Sequence, residues 1–271
     1  MPHSRHLQHL SWPELERQAS RPGSTVLWPF GAIEQHGPHL PLATDALFVE
    51  AVSEAVLAAL PAELPCWRLP VQSLGHSAEH LGFPGTLSLP AETLIQLVVS
   101  IGGQLAEAGF QRLVLLNGHG GQIALLDVAS RELRRQHPRL AVLPCFLWRG
   151  PEGIAPLIPE PERSQGLHAG LAETSLMLHL HPELTVWPTG SADGDAAVAT
   201  PPPAPPPGWS LEGEAPCSWR TRELSRSGII GDPAGANPQQ GEALFARLVE
   251  GWRQRLESLL RSDWPTTDPL T

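Results

Sequence analysis

Short apolar runs alternate with stretches of helical spacing along most of this chain, and that alternation restricts the fold more than any other feature of the sequence. Residues 24–30, 66–72, 112–117 and 140–147 have the length and apolar character of strands buried on both faces. Between and after them, residues 45–60, 90–108, 122–136, 169–181 and 239–260 have the spacing of helices, the last turning Leu244, Leu248, Trp252 and Leu259 to the body. A shorter helix should start at Ser11, where Ser-x-x-Glu gives a capping box to Glu14. Strand then helix, repeated, predicts an α/β fold of three layers, α/β/α, around a mostly parallel central sheet. The 271 residues suit one domain. Residues 182–220, with Pro201 to Pro207 in the middle, break the pattern and read as a Pro-rich insertion loop.

Composition removes several classes of function. A formal charge of -10 makes a nucleic-acid partner improbable, because such binding rests on cations that neutralise phosphates. All 18 basic residues are Arg, so Schiff-base chemistry and a phosphate-loop lysine are absent. No apolar run reaches the ~18 to 20 residues of a membrane-spanning helix, so no membrane contact is expected. The first residues carry no secretory pattern, which predicts a cytoplasmic protein. Cys66, Cys145 and Cys217 form no CxxC pair and read as free thiols rather than a disulfide frame or thiolate zinc site.

The twelve His are more informative. In parallel sheets ligands collect beyond the carboxyl ends of the strands, and the acids and imidazoles here fall there. Glu34 and His36 follow the first strand, His76, Glu79 and His80 the second, His119 the third, and His168 with Glu173 the fourth. Glu34 and His36, at i and i+2 of an extended segment, project to the same side. The Gly- and Pro-rich residues after them can bring Asp45 back to the same point. Two carboxylates and an imidazole, with Asp45 as the bridge, suit a pair of first-row divalent ions, which lower the pKa of a shared water and polarise the bond under attack. Hydrolysis is the implied reaction. In Asn117-Gly-His119-Gly120-Gly121 the glycines let His119 swing into the site. Ser77, Glu79 and Gly120 are candidate substrate contacts. His39 reads as structural, and His179 and His181 as partners of a helix end.

Four ordered motifs carry a family resemblance: Gly31-Ala-Ile-Glu-Gln-His-Gly-Pro-His-Leu-Pro-Leu with Asp45, Glu79-His-Leu-Gly-Phe-Pro-Gly-Thr86, Asn117-Gly-His-Gly-Gly, and His168-Ala-Gly-Leu-Ala-Glu-Thr-Ser175. Together they resemble the creatininase family of metal-dependent amidohydrolases, in order over most of the chain. The resemblance implies an α/β/α fold, two divalent ions (zinc, with manganese or iron as alternatives), a homo-oligomer, often a hexamer, and a small-molecule amide substrate. It implies that Glu34, Asp45 and His119 hold one ion and His36 and Asp45 the other. A bridging hydroxide would attack the amide carbonyl, and His168 or Glu173 would protonate the leaving nitrogen.

Two departures bear on substrate. Creatinine-hydrolysing members carry Asn-Gly-His-Tyr-Glu-Asn at the third motif, with the Glu on the second ion, whereas Gly121 stands here. Glu173 could replace that ligand or act as a base. Those members also have Trp and Asp ahead of the last His, where this chain reads Arg163-Ser-Gln-Gly-Leu167. The Gly-Gly form is similar to a branch that includes a formylamino-pyrimidine nucleotide deformylase and a peptidase of a redox-cofactor precursor. A cyclic or otherwise non-standard C–N amide is the expected bond. Two other readings remain: a serine hydrolase built on Gly75-His-Ser77-Ala-Glu79, and a non-catalytic metal-binding scaffold, which Gly121 keeps open.

Overall fold

The structure is a computed structural model that describes residues 5–160, 162–186, 205–213 and 215–265. Its elements in chain order are α1 (Trp12–Ala19), β1 (Thr25–Phe30), α2 (Thr44–Ala59), β2 (Cys66–Arg68), α3 (Ala91–Glu107), β3 (Arg112–Asn117), α4 (Ile123–Gln136), β4 (Ala141–Phe146), α5 (Glu162–Gln165), α6 (Leu171–Leu180), α7 (Thr221–Leu224) and α8 (Pro238–Arg261). The Ser11 capping box forms, with Ser11 and Glu14 hydrogen-bonded to each other at the start of α1.

The four strands form one parallel sheet in the order β2-β1-β3-β4. A right-handed crossover from β1 out to β2 puts α2 on one face. The return past β1 to β3 and on to β4 runs the other way, so α3 and α4 lie on the opposite face. The core divides accordingly. One cluster joins Val52 and Val56 of α2 to Leu176 of α6 and Leu244, Leu248 and Trp252 of α8, while the other joins Leu94 and Val98 of α3 to Leu126 and Leu133 of α4. Covered on both faces, β1 and β3 are buried at every position.

Two details differ from the sequence reading. The second strand stops at Arg68 rather than Gln72, because neither Pro70 nor Pro29 of β1 has an N–H to give to the ladder there. Leu69 N–H to Leu27, Gln72 N–H to Pro29 and Gly31 N–H to Gln72 continue the pairing past it. In α8 the buried stripe runs on through Leu256 and Leu260, and Leu259 sits half-buried at its edge. Much of the Pro-rich stretch lies outside the described residues; its return limb, from Pro205 onward, pairs Ser210 with Pro216. Cys66, Cys145 and Cys217 are free. No helix among the described residues is long and apolar enough to cross a membrane.

Candidate metal centre

β1 and β3 are adjacent, and the chain leaves them in opposite directions, so a crevice opens beyond their carboxyl ends. The loop after β1 bends back to α2 and pairs Glu34 N–H with Leu42 C=O. That bend brings Asp45, in the first turn of α2, opposite Glu34. Gly31 permits it, since a Cβ there would sit 2.5 Å from Ala46 Cα. After β3, the Asn117 side chain closes a small loop on itself, accepting from His119 N–H at 3.0 Å and donating to His119 C=O at 2.7 Å. His119 is thereby turned inward.

Glu34, His36, Asp45 and His119 are all buried, with Glu34 1% exposed and His36 fully enclosed. His119 donates from Nε2 to the His76 carbonyl at 2.9 Å, which leaves the Nδ1 lone pair facing Glu34 Oε2 at 3.2 Å and Asp45 Oδ2 at 3.1 Å. His36 donates from Nδ1 to the Glu34 carbonyl, and its Nε2 lies 3.3 Å from Asp45 Oδ1 and 3.8 Å from Glu34 Oε1. Glu34 Oε2, Asp45 Oδ2 and His36 Nε2 have no hydrogen-bond partner. Lone pairs facing carboxylate oxygens in a buried space repel unless a proton or a cation lies between them. The donor set, of carboxylate oxygens and imidazole nitrogens, suits a first-row divalent cation.

Without a cation, protons take that place. Burial opposes a charge on His36, but the adjacent Asp45 carboxylate outweighs it and pushes the imidazole up to about 9. His119 is likewise held well above its ordinary value, against burial, by Glu34 and Asp45. The Asp45 carboxyl is driven down, against burial, by His36 and His119.

Two combinations share Asp45: Glu34, Asp45 and His119, and His36, Asp45 and Glu173, the potential ligand atoms of each lying within 4.8 Å of one another. Two further combinations, Glu34 with His36 and His168 and Glu34 with Glu79 and His80, meet the same distance. Glu173, in the first turn of α6, gives one oxygen to Ala169 N–H at 2.6 Å; Ala169 holds a left-handed φ of 55° that turns the backbone between His168 and the helix. Such a conformation costs about 1 kcal/mol for a residue with a Cβ. Burial pushes Glu173 up to about 7. His168 donates from Nε2 to the Gln35 carbonyl at 2.6 Å and turns Nδ1 toward Glu34 Oε1, 3.7 Å away.

Glu34, Asp45, His119, His168 and Glu173 line a cleft of about 590 Å³ whose walls include Phe146, Trp148, Leu211 and Trp219, with His36 enclosed beside it. Glu79 and Gly120 line it. Ser77 is fully buried behind the wall, with its hydroxyl 3.4 Å from His119 Nε2, a nitrogen already bonded to His76. That leaves no free base beside Ser77, and the strand-turn-helix elbow is replaced by a 3-10 turn at Ala78–His80. His39 stands apart, bonded to Thr174 at 2.8 Å, and His76 turns away to the Leu89 carbonyl. A side chain at Gly121 would collide with the Glu79 carboxylate, which fills the space in front of that residue. His80, Gln35 and Thr221 belong to the site more closely than sequence reasoning indicated. Of these, Gln35 and His80 carried a signal, as members of the first and second motifs, and Thr221 carried none.

A family model described as creatinine amidohydrolase matches residues 8–256. This chain belongs to the creatininase family. It is 32% identical over 257 residues to the mycofactocin precursor peptide peptidase of Mycolicibacterium smegmatis, covering 92% of this chain and 93% of that protein. It is 31% identical over 268 residues to the creatinine amidohydrolase of Pseudomonas putida, covering 95% and 96%. Among solved structures, a creatininase described as the Mn form superposes with a TM-score of 0.72 at 27% identity, covering 96% of this chain and 100% of that one. Like the family, the chain is a metal-dependent hydrolase of C–N amide bonds outside ordinary protein degradation.

Proposed function

We propose that this chain hydrolyses an amide bond in a short peptide or peptide-like molecule at a dinuclear centre. The observation that carries the reading is the convergence of three buried, unpartnered ligand atoms, Glu34 Oε2, His36 Nε2 and Asp45 Oδ2, with Glu34 and Asp45 lining the cleft and His36 enclosed beside them. Glu34, Asp45 and His119 would hold one divalent ion, and His36, Asp45 and Glu173 the second. Glu173 then supplies the carboxylate that Gly121 does not. Zinc or manganese suits these donors, and ions held there supply Lewis acidity and a water acidic enough to react near neutral pH.

His168 is the proton carrier. Its Nε2–H is committed to the Gln35 carbonyl, so Nδ1 is the nitrogen available to the cleft. Water adds to the amide carbon, Nδ1 takes the proton that water gives up, and the C–N bond breaks as that proton passes to the leaving nitrogen. The products are a carboxylate and an amine.

The peptide class is supported by the peptidase function of the Mycolicibacterium relative and by Gly120. A Cβ at Gly120 would meet nothing nearer than Glu212 Oε1 at 3.9 Å, so that wall of the cleft is bare backbone that an extended substrate can approach. Metal content by plasma mass spectrometry, followed by a panel of short peptides, formamides and cyclic amides, tests the reading. Two ions per chain and chelator-sensitive peptide cleavage are expected. Cleavage of cyclic amides alone would overturn the peptide assignment, and activity indifferent to chelator would overturn the metal centre.

A further inference from the structure

His80 lies in the site but has no role in the reaction as set out above, and its tautomer can be read from its neighbours. Gln35 Oε1 accepts from Gly37 N–H at 2.9 Å while Gln35 Nε2 donates to the Gly228 carbonyl at 3.1 Å, which settles the orientation of that amide. The second proton on Gln35 Nε2 then points at His80 Nδ1, 2.9 Å away. A proton on Nδ1 would clash with it, so Nδ1 is the acceptor; Thr221 Oγ1 lies 2.8 Å from the same nitrogen and 3.1 Å from the Glu79 carbonyl, with one proton to give to either, so it is Gln35 that fixes the tautomer. The ring proton of neutral His80 is therefore on Nε2. That nitrogen stands 3.5 Å from Glu34 Oε1 and 3.9 Å from Glu79 Oε1 and makes no hydrogen bond to either, while His80 lines the cleft. A nitrogen that carries a proton cannot bind a cation through a lone pair, so His80 is a donor in the cleft rather than a ligand.

We propose that His80, with its tautomer held by Gln35, donates the Nε2–H to the oxygen of the substrate's scissile amide as negative charge develops there, a role that rests on the amide-hydrolysis reading. The stacking of the rings supports the pairing of roles. His80 and His168 have centroids 4.1 Å apart, and both Nε2 of the first and Nδ1 of the second face Glu34 Oε1. One ring thus offers a proton and the other a lone pair to the same small volume. Gln35 sets both, His80 through its side-chain amide and His168 through its carbonyl. A preorganised donor aimed at developing oxyanion charge costs no reorganisation during the reaction.

The test combines three measurements on the full, metal-loaded chain, using an amide that the parent protein cleaves. His80→Ala should lower kcat by roughly 100-fold or more, the range for loss of one oxyanion donor, with KM changed little and metal content unchanged. His80→Gln should recover part of the loss, because its side-chain N–H reaches toward the same place. Long-range proton–nitrogen NMR of the parent should show His80 protonated on Nε2, and Gln35→Glu should move that proton to Nδ1 and lower kcat with it. Loss of metal in His80→Ala would make His80 a ligand and overturn the proposal. So would equal kcat losses in the Ala and Gln variants, an unaffected kcat, or a proton found on Nδ1 of the parent. A metal-loaded parent that cleaves no amide would instead overturn the hydrolysis reading and take this proposal with it.

Discussion

His36 and Glu173 both hold protons more tightly in the metal-free fold than in the unfolded chain, and the sign of the consequence follows. The His36 value rises from 6.5 to about 9, so its contribution to stability is complete below 6.5 and is lost as pH rises through 9. Glu173 rises from 4.5 to about 7, so an ionised carboxylate there opposes folding increasingly as pH climbs through that interval. Below about pH 6.5 the loss from Glu173 is opposed by His39, pushed down to about 4 by burial, and by His168, held well below its ordinary value by burial, both of which add stability as pH rises. The melting temperature of the metal-free protein should therefore fall mainly between about pH 6.5 and about pH 9, as scanning calorimetry in chelator can show. Metal must displace the His36 and Glu173 protons, so zinc affinity should rise over the same interval, with protons released on binding. Asp45→Ala should remove both ions and activity together, because Asp45 belongs to both ligand groups. Full metal occupancy in that variant would refute the shared role. Gly120→Tyr meets no backbone strain and projects into open cleft; it should raise KM for a peptide several-fold more than for a small amide.

At the scale of elements, the site depends on how closely α2 approaches β1. Gly31 packs on the backbone of Ala46, one residue past Asp45, with no room for a methyl group. Gly31→Ala should therefore push α2 outward, cost about 1 to 3 kcal/mol of stability as overpacking does, and weaken metal binding by separating Asp45 from Glu34. Denaturant melts and zinc titration of the same variant measure the two effects. The start of α2 favours a carboxylate through its dipole, which suits Asp45 in the first turn. Strand and helix positions were legible because burial on two faces imposes continuous apolar runs and burial on one imposes helical spacing. Glu34, His36 and His119 were legible because each lies just past a strand end, and Asp45 because the Gly- and Pro-rich residues before it can bring it back to them. Ser77 was misleading: its place after the second strand suggested a pocket contact, and only the turn at Ala78–His80 shows that it is buried behind the wall.

For the whole molecule, the layer of α2, α6 and α8 carries both Asp45 and Glu173, so the core and the site share their stability. Leu248→Ala, fully buried in α8, should cost about 2 to 5 kcal/mol by cavity formation while leaving activity intact well below the lowered melting point. Chelation should act in the other direction along the same link, abolishing activity and lowering the melting temperature. Ions at 100 times their Kd stabilise a fold by about 2.7 kcal/mol per site. An unchanged melting temperature in chelator would show that the ions do not bridge these elements.

The alternation of apolar runs, the donors at strand ends and the four ordered motifs were enough to determine the layer order, the reaction class and most of the metal-capable residues, since each of these depends on local pattern or on chain order. Which protonation state each imidazole holds, that Glu79 occupies the space before Gly121, that Glu173 reaches His36 and Asp45, and that Gln35 and Thr221 contact His80 were decided by the tertiary structure alone. Gln35 is held by the carbonyl of Gly228, 193 positions along the chain, and Thr221 meets His80 across 141. Such contacts come from the packing of side chains across elements, and no periodicity in a linear sequence records it.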